Sequence, residues 1–288
     1  MHIITDTLPI LPADLVARLI ADALAEDWQT QGDVTSQAVI PADAKADAII
    51  RARDIGVLAG SDLAAAAFRA HESGLSVTPL KADGSALTSG DEVMRITGPA
   101  HALLSAERVA LNYLGHLSGI ASKTARLVAL VSHTKAKICD TLKTGPGLRQ
   151  VEKYAVRAGG GANHRFGLYD AVLIKDNHIA VAGGVRAALK AAQANTDALP
   201  IEIEVDNLAQ LEEALAAGAK IILLDNMTPA QLAEAVGLNK GRAVLEASGR
   251  VNEETVTAIA ESGVDYISVG GITHSAATLD LGLDIDIS

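Results

Sequence analysis

From residue 137 onward, short apolar runs alternate with amphipathic stretches. The runs are KICDT (137–141), DAVLIKDN (170–177), PIEIEVDN (200–207), KIILLDNM (220–227), RAVLEAS (242–248) and DYISVGG (265–271). Within them AVLI, IILL and YISV keep several consecutive apolar positions, the pattern of strands buried on both faces, as parallel strands are. The helical stretches between them have definable ends. Thr228-Pro229-Ala230-Gln231 combines a cap residue, a first-turn proline and a capping-box glutamine, and Gly218 and Gly263 close helices. Alternating strands and helices predict an α/β region with a parallel sheet, open or closed into a barrel.

Before residue 137 the pattern is less regular. Residues 12–25 carry a helical period, with Pro12 placed for a first turn. Residues 47–53 and 92–96 read as strands, and DGSALTSGDEVMRITG (83–98) reads as hairpin-rich with turns at its glycines. These strands do not alternate with helices, which predicts an α+β unit. A long helix is predicted over about residues 105–131. It carries Gly115, Gly119 and Ser122 on one face, where glycine costs about 1 kcal/mol and usually has a packing reason. Packing inside one subunit is the expectation, against a dimer or domain seam. At the C-terminus Leu279, Leu281, Leu283, Ile285 and Ile287 alternate with Asp280, Gly282, Asp284, Asp286 and Ser288. That is a half-buried strand, expected to return to the sheet of the N-terminal unit.

Composition narrows the partners. The 288-residue chain has a formal net charge of −11, which argues against nucleic acid or an anionic membrane surface. Aromatic residues make up 2%, so the core must come from small and branched aliphatic side chains. Cys139 is the only cysteine, which excludes an intrachain disulfide and fits a reducing, cytoplasmic compartment. The N-terminal MHIITDTLPILPADL does not read as a signal peptide, and no run of 18 apolar residues predicts a membrane span.

In β/α barrels the active site lies at the C-terminal strand ends. Those ends here carry Asp140 with Lys143, Lys175, Glu204, Asp225, Glu246 with Ser248, and Gly270 with Gly271. Lys175, Glu204, Asp225 and Glu246 are expected to ring one mouth. The last two strand ends, EASGR (246–250) and SVGGITHS (268–275), are small and polar, as loops that bind phosphate through backbone N–H groups are. Residues 140–178 hold six Lys or Arg (Lys143, Arg149, Lys153, Arg157, Arg165, Lys175) against four acids (Asp140, Glu152, Asp170, Asp176). A basic segment inside an acidic chain suits a substrate with carboxylates or phosphates. His164 and Arg165, on a loop after three glycines, are the candidates for ligand contact, whereas Arg149 and Arg157 read as surface charges or structural partners. Arg108 near the start of the long helix opposes the helix dipole. A ligand or partner anion, or a pair with Glu107, would explain it.

The motifs ERVALN, DT-x-KT-x-PG-x-R, EKYAVR-x-GGG-x-NHR, LIKDNH, EIEVDN, LLDNM, EASG and GG-x-THS occur in this order, with GDVTS at residues 32–36. In this the chain resembles the quinolinate phosphoribosyltransferase family over nearly its whole length. The resemblance implies an N-terminal α/β sandwich domain (1–115, completed by 276–288) and an incomplete parallel β/α barrel (116–275). It implies joining of quinolinate to phosphoribosyl pyrophosphate with release of pyrophosphate and CO2, yielding nicotinate mononucleotide for NAD synthesis, and a requirement for Mg2+. It further implies a homodimer or higher assembly in which Arg108 reaches the partner's site. Lys143, His164, Arg165 and Lys175 would hold the substrate carboxylates. Glu204 and Asp225 would meet the ribose hydroxyls and the metal, with Lys143, Glu204 and Asp225 as the catalytic group. Ser248, Gly249, Gly270 and Gly271 would cradle the 5′-phosphate, with His274 nearby.

One position departs from the family pattern. Leu142 stands where the family has an arginine that binds a substrate carboxylate, and a lost charge-assisted contact costs roughly 1.5–3 kcal/mol, or about ten- to a hundred-fold in binding. Three other readings therefore stand beside the leading one. They are a relative of the molybdenum-locus paralogue type with a different acceptor, an aldolase-like barrel with Lys175 as Schiff-base nucleophile, and a non-catalytic nucleotide-binding module.

Overall fold

The computed structural model describes residues 7–70 and 74–286. Two compact units emerge. The first comprises Thr7–Lys123, Gln150–Gly159 and the segment from Ala276; the second comprises Thr124–Arg149 and Gly160–Ser275.

The first unit opens with α1 (Ala13–Trp28) and α2 (Val34–Val39), followed by β1 (Lys45–Ala52), β2 (Gly56–Val57), α3 (Ser61–Ala70), β3 (Ser76–Pro79), β4 (Ala86–Leu87), β5 (Glu92–Pro99) and α4 (Ala100–Val131). The alternation of β1 buries Ala46, Ala48, Ile50 and Ala52 on one face. β1 pairs antiparallel with β5, β5 with β3, and β1 with the tail strand β12 (Leu281–Asp286), which gives the order β12-β1-β5-β3. The tail thus returns to this sheet; Ile287 and Ser288 lie outside the described residues. Residues 83–98 do not form a hairpin. β4 pairs with β2 in a separate two-stranded sheet, and the turn held by Asp91 accepting from Thr88 N (2.8 Å) passes the chain to β5.

Local chemistry explains the GDVTS segment. Asp33 caps α2, accepting from Thr35 N (3.1 Å), Ser36 N (3.0 Å) and Ser36 Oγ (2.5 Å), and it also accepts from Ser105 Oγ (3.1 Å). The Ser36 hydroxyl, ahead of the backbone donors, holds its carboxyl below the ordinary range.

The second unit takes β6 (Lys137–Cys139), β7 (Val172–Ile174), α6 (Asp176–Ala182), α7 (Val185–Asn195), β8 (Ile201–Val205), α8 (Leu208–Ala216), β9 (Ile221–Asp225), α9 (Pro229–Asn239), β10 (Val244–Ser248), α10 (Val256–Glu261), β11 (Tyr266–Ser268) and α11 (Gly271–His274). Helix α5 (Arg149–Ala158) precedes β7, and all of it beyond Arg149 groups with the first unit. The six strands are parallel, in the order β6-β11-β10-β9-β8-β7. β6 and β7 do not pair with each other. Instead Ala162 lies alongside β6, with Ala162 N donating to Ile138 O (2.8 Å) and Asp140 N to Ala162 O (3.3 Å). The sheet is therefore an incomplete barrel. Its helix ends follow the sequence signals: Thr228 Oγ1 accepts from Gln231 N (3.3 Å) while Gln231 Oε1 accepts from Thr228 N (2.9 Å). Among the described residues no helix is long and apolar enough to cross a membrane.

The small residues of α4 serve packing within the first unit. Ser122 Oγ accepts from Val57 N (2.8 Å), Gly115 O accepts from Leu279 N (3.0 Å), and a Cβ on Gly119 would run into the Ala277 carbonyl. Gly119→Ala is therefore expected to destabilise the protein by about 1–3 kcal/mol, against the roughly 1 kcal/mol that alanine gains in a helix. Thermal denaturation checks this, and an unchanged or raised Tm would contradict the close approach.

Candidate active site

Successive residues of a strand face opposite sides, so residues two apart share a face. Five strands of the second unit place such a pair at one cavity: Leu173 with Lys175, Leu223 with Asp225, Glu246 with Ser248, Ser268 with Gly270, and on β8 Glu204 above Glu202. The cavity has a volume of about 610 Å³, and all of these except Glu202 line it. The outer members form a rim of lysine, two carboxylates, serine and glycine. The inner members form a lower layer in which Glu202, Glu246 and Ser268 are buried. Glu246 is therefore a lower-layer residue, and Ser248 takes its expected place at the mouth.

The lower layer is a hydrogen-bonded polar cluster. His164 Nε2 lies 2.9 Å from Glu202 Oε2 and 3.7 Å from Glu246 Oε1, while Ser268 Oγ donates to Glu246 Oε1. His164 Nδ1 accepts from the Arg165 backbone N–H (2.7 Å). Burial, then the nearby Glu202 charge, pushes the Glu246 carboxyl well above its ordinary range, against the pull of His164. Cys139 belongs to the same buried region, its Sγ 3.5 Å from Ser268 Oγ, and burial raises its thiol pKa as well.

The loop that bears His164 is held by Asp140. This fully buried carboxylate accepts from His164 N (3.0 Å) and Asn163 Nδ2 (2.6 Å), so it clamps the NHR segment and does not stand at the mouth. Arg165 lines the cavity and donates through Nη1 to Ala171 O (3.0 Å). Its Nε is buried without a hydrogen-bond partner among the described residues. Desolvation lowers its pKa, so an anion reaching this guanidinium would satisfy both charge and donor.

The remaining cations divide by position. Lys143 and Lys175 line the cavity. Lys175 Nζ is 3.6 Å from Glu204 Oε2, and its side chain is half exposed, which is not the desolvated amine a Schiff-base nucleophile requires. Burial raises the Glu204 pKa, partly offset by Lys175. Arg149 ties the surrounding loops, donating to Thr144 Oγ1 (3.1 Å), Phe166 O (3.2 Å) and Leu142 O (3.5 Å). Lys153 and Arg157 are buried on α5 in the first unit, outside the cavity lining, so the basic segment is not one patch. Arg108 is exposed on α4 in the first unit. Because α4 begins at Ala100, it lies beyond the first turn, where the dipole no longer acts.

Small residues close the rim at β10 and β11. Ser248, Gly249, Gly270 and Gly271 all line the cavity, with His274 beside them. Gly249 has φ +97°, which L side chains rarely adopt. A Cβ on Gly270 would stand 3.0 Å from Lys143 Cδ, so glycine lets the lysine stem lie across the turn. Thr273 Oγ1 donates to Lys143 O (2.7 Å) and locks the two loops together. Sequence reasoning missed Glu202, Asn226, Arg250 and Ser268. The period of two in EIEVDN and ISVGG was a signal for Glu202 and Ser268.

Residues 120–284 match the model of the quinolinate phosphoribosyl transferase C-terminal domain, and residues 33–118 that of its N-terminal domain. The chain is 43% identical over 272 residues to a probable nicotinate-nucleotide pyrophosphorylase [carboxylating] of Bacillus subtilis, covering 94% of this chain and 93% of the relative. It is 44% identical over 277 residues to the nicotinate-nucleotide pyrophosphorylase [carboxylating] of Mycobacterium leprae, covering 94% and 98%. The solved structure of the Francisella tularensis nicotinate-nucleotide pyrophosphorylase superposes with a TM-score of 0.93 at 40% identity, covering 98% of this chain and 100% of that one.

The raised Glu246 pKa has a testable sign. The folded state retains a proton that the unfolded chain releases above about pH 4.3, so this group's contribution to stability falls as pH rises from there toward the folded pKa. Glutamine at this position carries no such proton. The Tm of Glu246→Gln relative to wild type should therefore rise as pH is raised above about 5; a difference that does not change with pH would mean Glu246 is ionised in the fold.

Proposed function

The chain belongs to the quinolinate phosphoribosyltransferase family, and from that premise we propose that it transfers a phosphoribosyl group from phosphoribosyl pyrophosphate to quinolinate. The products are nicotinate mononucleotide, pyrophosphate and CO2, a step of NAD biosynthesis. The observation that carries this reading is the joining, around one cavity, of four cations (Lys143, Arg165, Lys175 and Arg250), two rim carboxylates and a glycine-rich edge. No acceptor other than quinolinate is favoured by relatives that are nicotinate-nucleotide pyrophosphorylases by name.

In this reading Ser248, Gly249, Gly270 and Gly271 receive the 5′-phosphate. Lys143, Arg165 and Lys175 receive the quinolinate carboxylates. His164 lies on the same wall, and for it to bond a carboxylate directly one of its two ring-nitrogen partners must give way. Breaking the bond from ribose to pyrophosphate leaves an oxocarbenium-like sugar, which the Glu204 and Asp225 carboxylates stabilise electrostatically. The pyridine nitrogen is a weak nucleophile, so fixing its carboxylates in place supplies the orientation that attack requires. After attack the ring nitrogen is cationic, and the electron pair left at C2 by departing CO2 sits beside that charge.

Glu204 and Asp225 offer hard oxygen donors at a half-buried rim, which fits Mg2+. When bound, the metal would neutralise charge on the leaving pyrophosphate. His164, Glu202 and Glu246 also place ligand atoms within 4.8 Å of one another, but they are buried and bonded among themselves and to Ser268, and one of the three is an imidazole where Mg2+ favours oxygen donors. The assembly is a homodimer in which Arg108 enters the partner's site, and the compartment is cytoplasmic. Exposed apolar side chains close to the site in sequence, Leu168 (83% exposed), Tyr169 (75%) and Val181 (91%), support a covered face.

Purified protein supplied with Mg2+, phosphoribosyl pyrophosphate and quinolinate should yield nicotinate mononucleotide; none at millimolar quinolinate overturns the proposal. Mixing an Arg108→Ala variant with a Lys143→Ala variant should restore activity that neither has alone, because hybrid dimers hold one intact site, and failure of the mixture would remove the donated arginine. Leu142 lines the cavity without a side-chain donor. Leu142→Arg should lower the quinolinate KM by about tenfold or more, and an unchanged or higher KM would show that no carboxylate contact is missing there.

A further inference from the structure

The chain must turn as soon as β9 ends. Asp225 and Ser248 are the last paired residues of β9 and β10, and Asn226 follows with φ 54°, in the left-handed region that asparagine tolerates better than most residues. That backbone conformation lets Asn226 N donate across to Ser248 O (2.9 Å). Its side chain turns back on the preceding residue, with Nδ2 donating to Asp225 Oδ2 (2.5 Å), and among the described residues this is the one side-chain donor recorded to the Asp225 carboxylate. The other end of the same amide closes on Gly249: a Cβ there would overlap Asn226 Oδ1 and stand 2.9 Å from Asn226 N. Asn226 itself lines the cavity.

We propose that Asn226 is a positioning residue that locks the Asp225 carboxylate and the Ser248 and Gly249 turn into one fixed geometry, so that the ribose and its 5′-phosphate are held as a single rigid ligand. The inference rests on the reading of the site given above and deepens it. A carboxylate with one oxygen held by an amide N–H has a set rotamer and presents its other oxygen outward. A phosphate cradle whose glycine packs against that same amide cannot shift independently of it. Each half of phosphoribosyl pyrophosphate therefore gains from the order imposed by the other. Quinolinate contacts Lys143, Arg165 and Lys175 and does not depend on this coupling.

The test is equilibrium binding of phosphoribosyl pyrophosphate with Mg2+, and separately of quinolinate, to wild type, Asn226→Gly and Asn226→Asp, with turnover measured where it occurs. Glycine keeps the left-handed turn and the backbone donor but removes the amide. It should raise the phosphoribosyl pyrophosphate Kd about tenfold, the worth of one hydrogen bond to a charged group. The quinolinate Kd should stay within about twofold, and Tm should hardly change. Aspartate also suits the turn but sets a second anion against Asp225, so its loss should be larger than that of glycine and again confined to phosphoribosyl pyrophosphate. Unchanged binding in Asn226→Gly, or equal weakening of both ligands, overturns the proposal. Binding is read without turnover, so a wild type that binds both ligands but forms no nicotinate mononucleotide refutes the function while leaving this inference to be judged on its own ratio.

Discussion

The pleat of a β-strand forces residues two apart to face the same side, and the site depends on that constraint in every strand of the second unit. Asp225 pairs directly with Ser248, and Glu204 pairs with Leu223, which shares its face with Asp225, so the register delivers all three polar residues to one edge without any side chain having to select it. A slip of one residue in any strand would turn its whole functional pair outward. The apolar residues alternating with them, such as Ile203, Leu224 and Ala247, are buried and enforce the register by hydrophobic packing. Chemistry and stability are therefore written on alternate positions of the same strands.

Beneath the rim, the same alternation carries polar groups into the interior. Glu202, Glu246, His164 and Ser268 form a cluster that a core built for stability alone would replace with aliphatic side chains. Burial pushes the Glu246 carboxyl well above its ordinary range, which favours its uncharged form, and His164 Nε2 stands between the two carboxyl groups, 2.9 Å from Glu202 and 3.7 Å from Glu246. The cluster in turn fixes the histidine whose Nδ1 receives the Arg165 backbone N–H, next to a guanidinium whose buried Nε has no hydrogen-bond partner among the described residues. Order in the lower layer becomes readiness for an anion above it.

Much of this was legible in the sequence because parallel strands have a strong signature. Runs such as AVLI and IILL marked the strands, and their C-terminal residues marked the mouth. The capping box at Thr228 and a packing role for Gly119 inside one subunit also followed from residue chemistry; that its partner is the tail did not. What was not legible depended on burial. The loop after three glycines set Arg165 apart from Arg157 on the helix, but nothing local showed that Arg157 is buried on α5 and grouped with the other unit. Asp140 looked like a rim acid and is a clamp for the NHR loop, because only the fold shows that its partners are Asn163 and a backbone N–H. The turn at residues 83–98 misled because its glycines connect strands of two different sheets.

One cavity breaks the bond from ribose to pyrophosphate and then releases CO2 from the ring it has just alkylated. Quinolinate labelled with carbon-13 in its 2-carboxyl group tests both halves at once. Labelled CO2 and pyrophosphate should appear in equal amounts, each dependent on the other substrate. Pyrophosphate released without labelled CO2, or labelled CO2 without phosphoribosyl pyrophosphate, would contradict it.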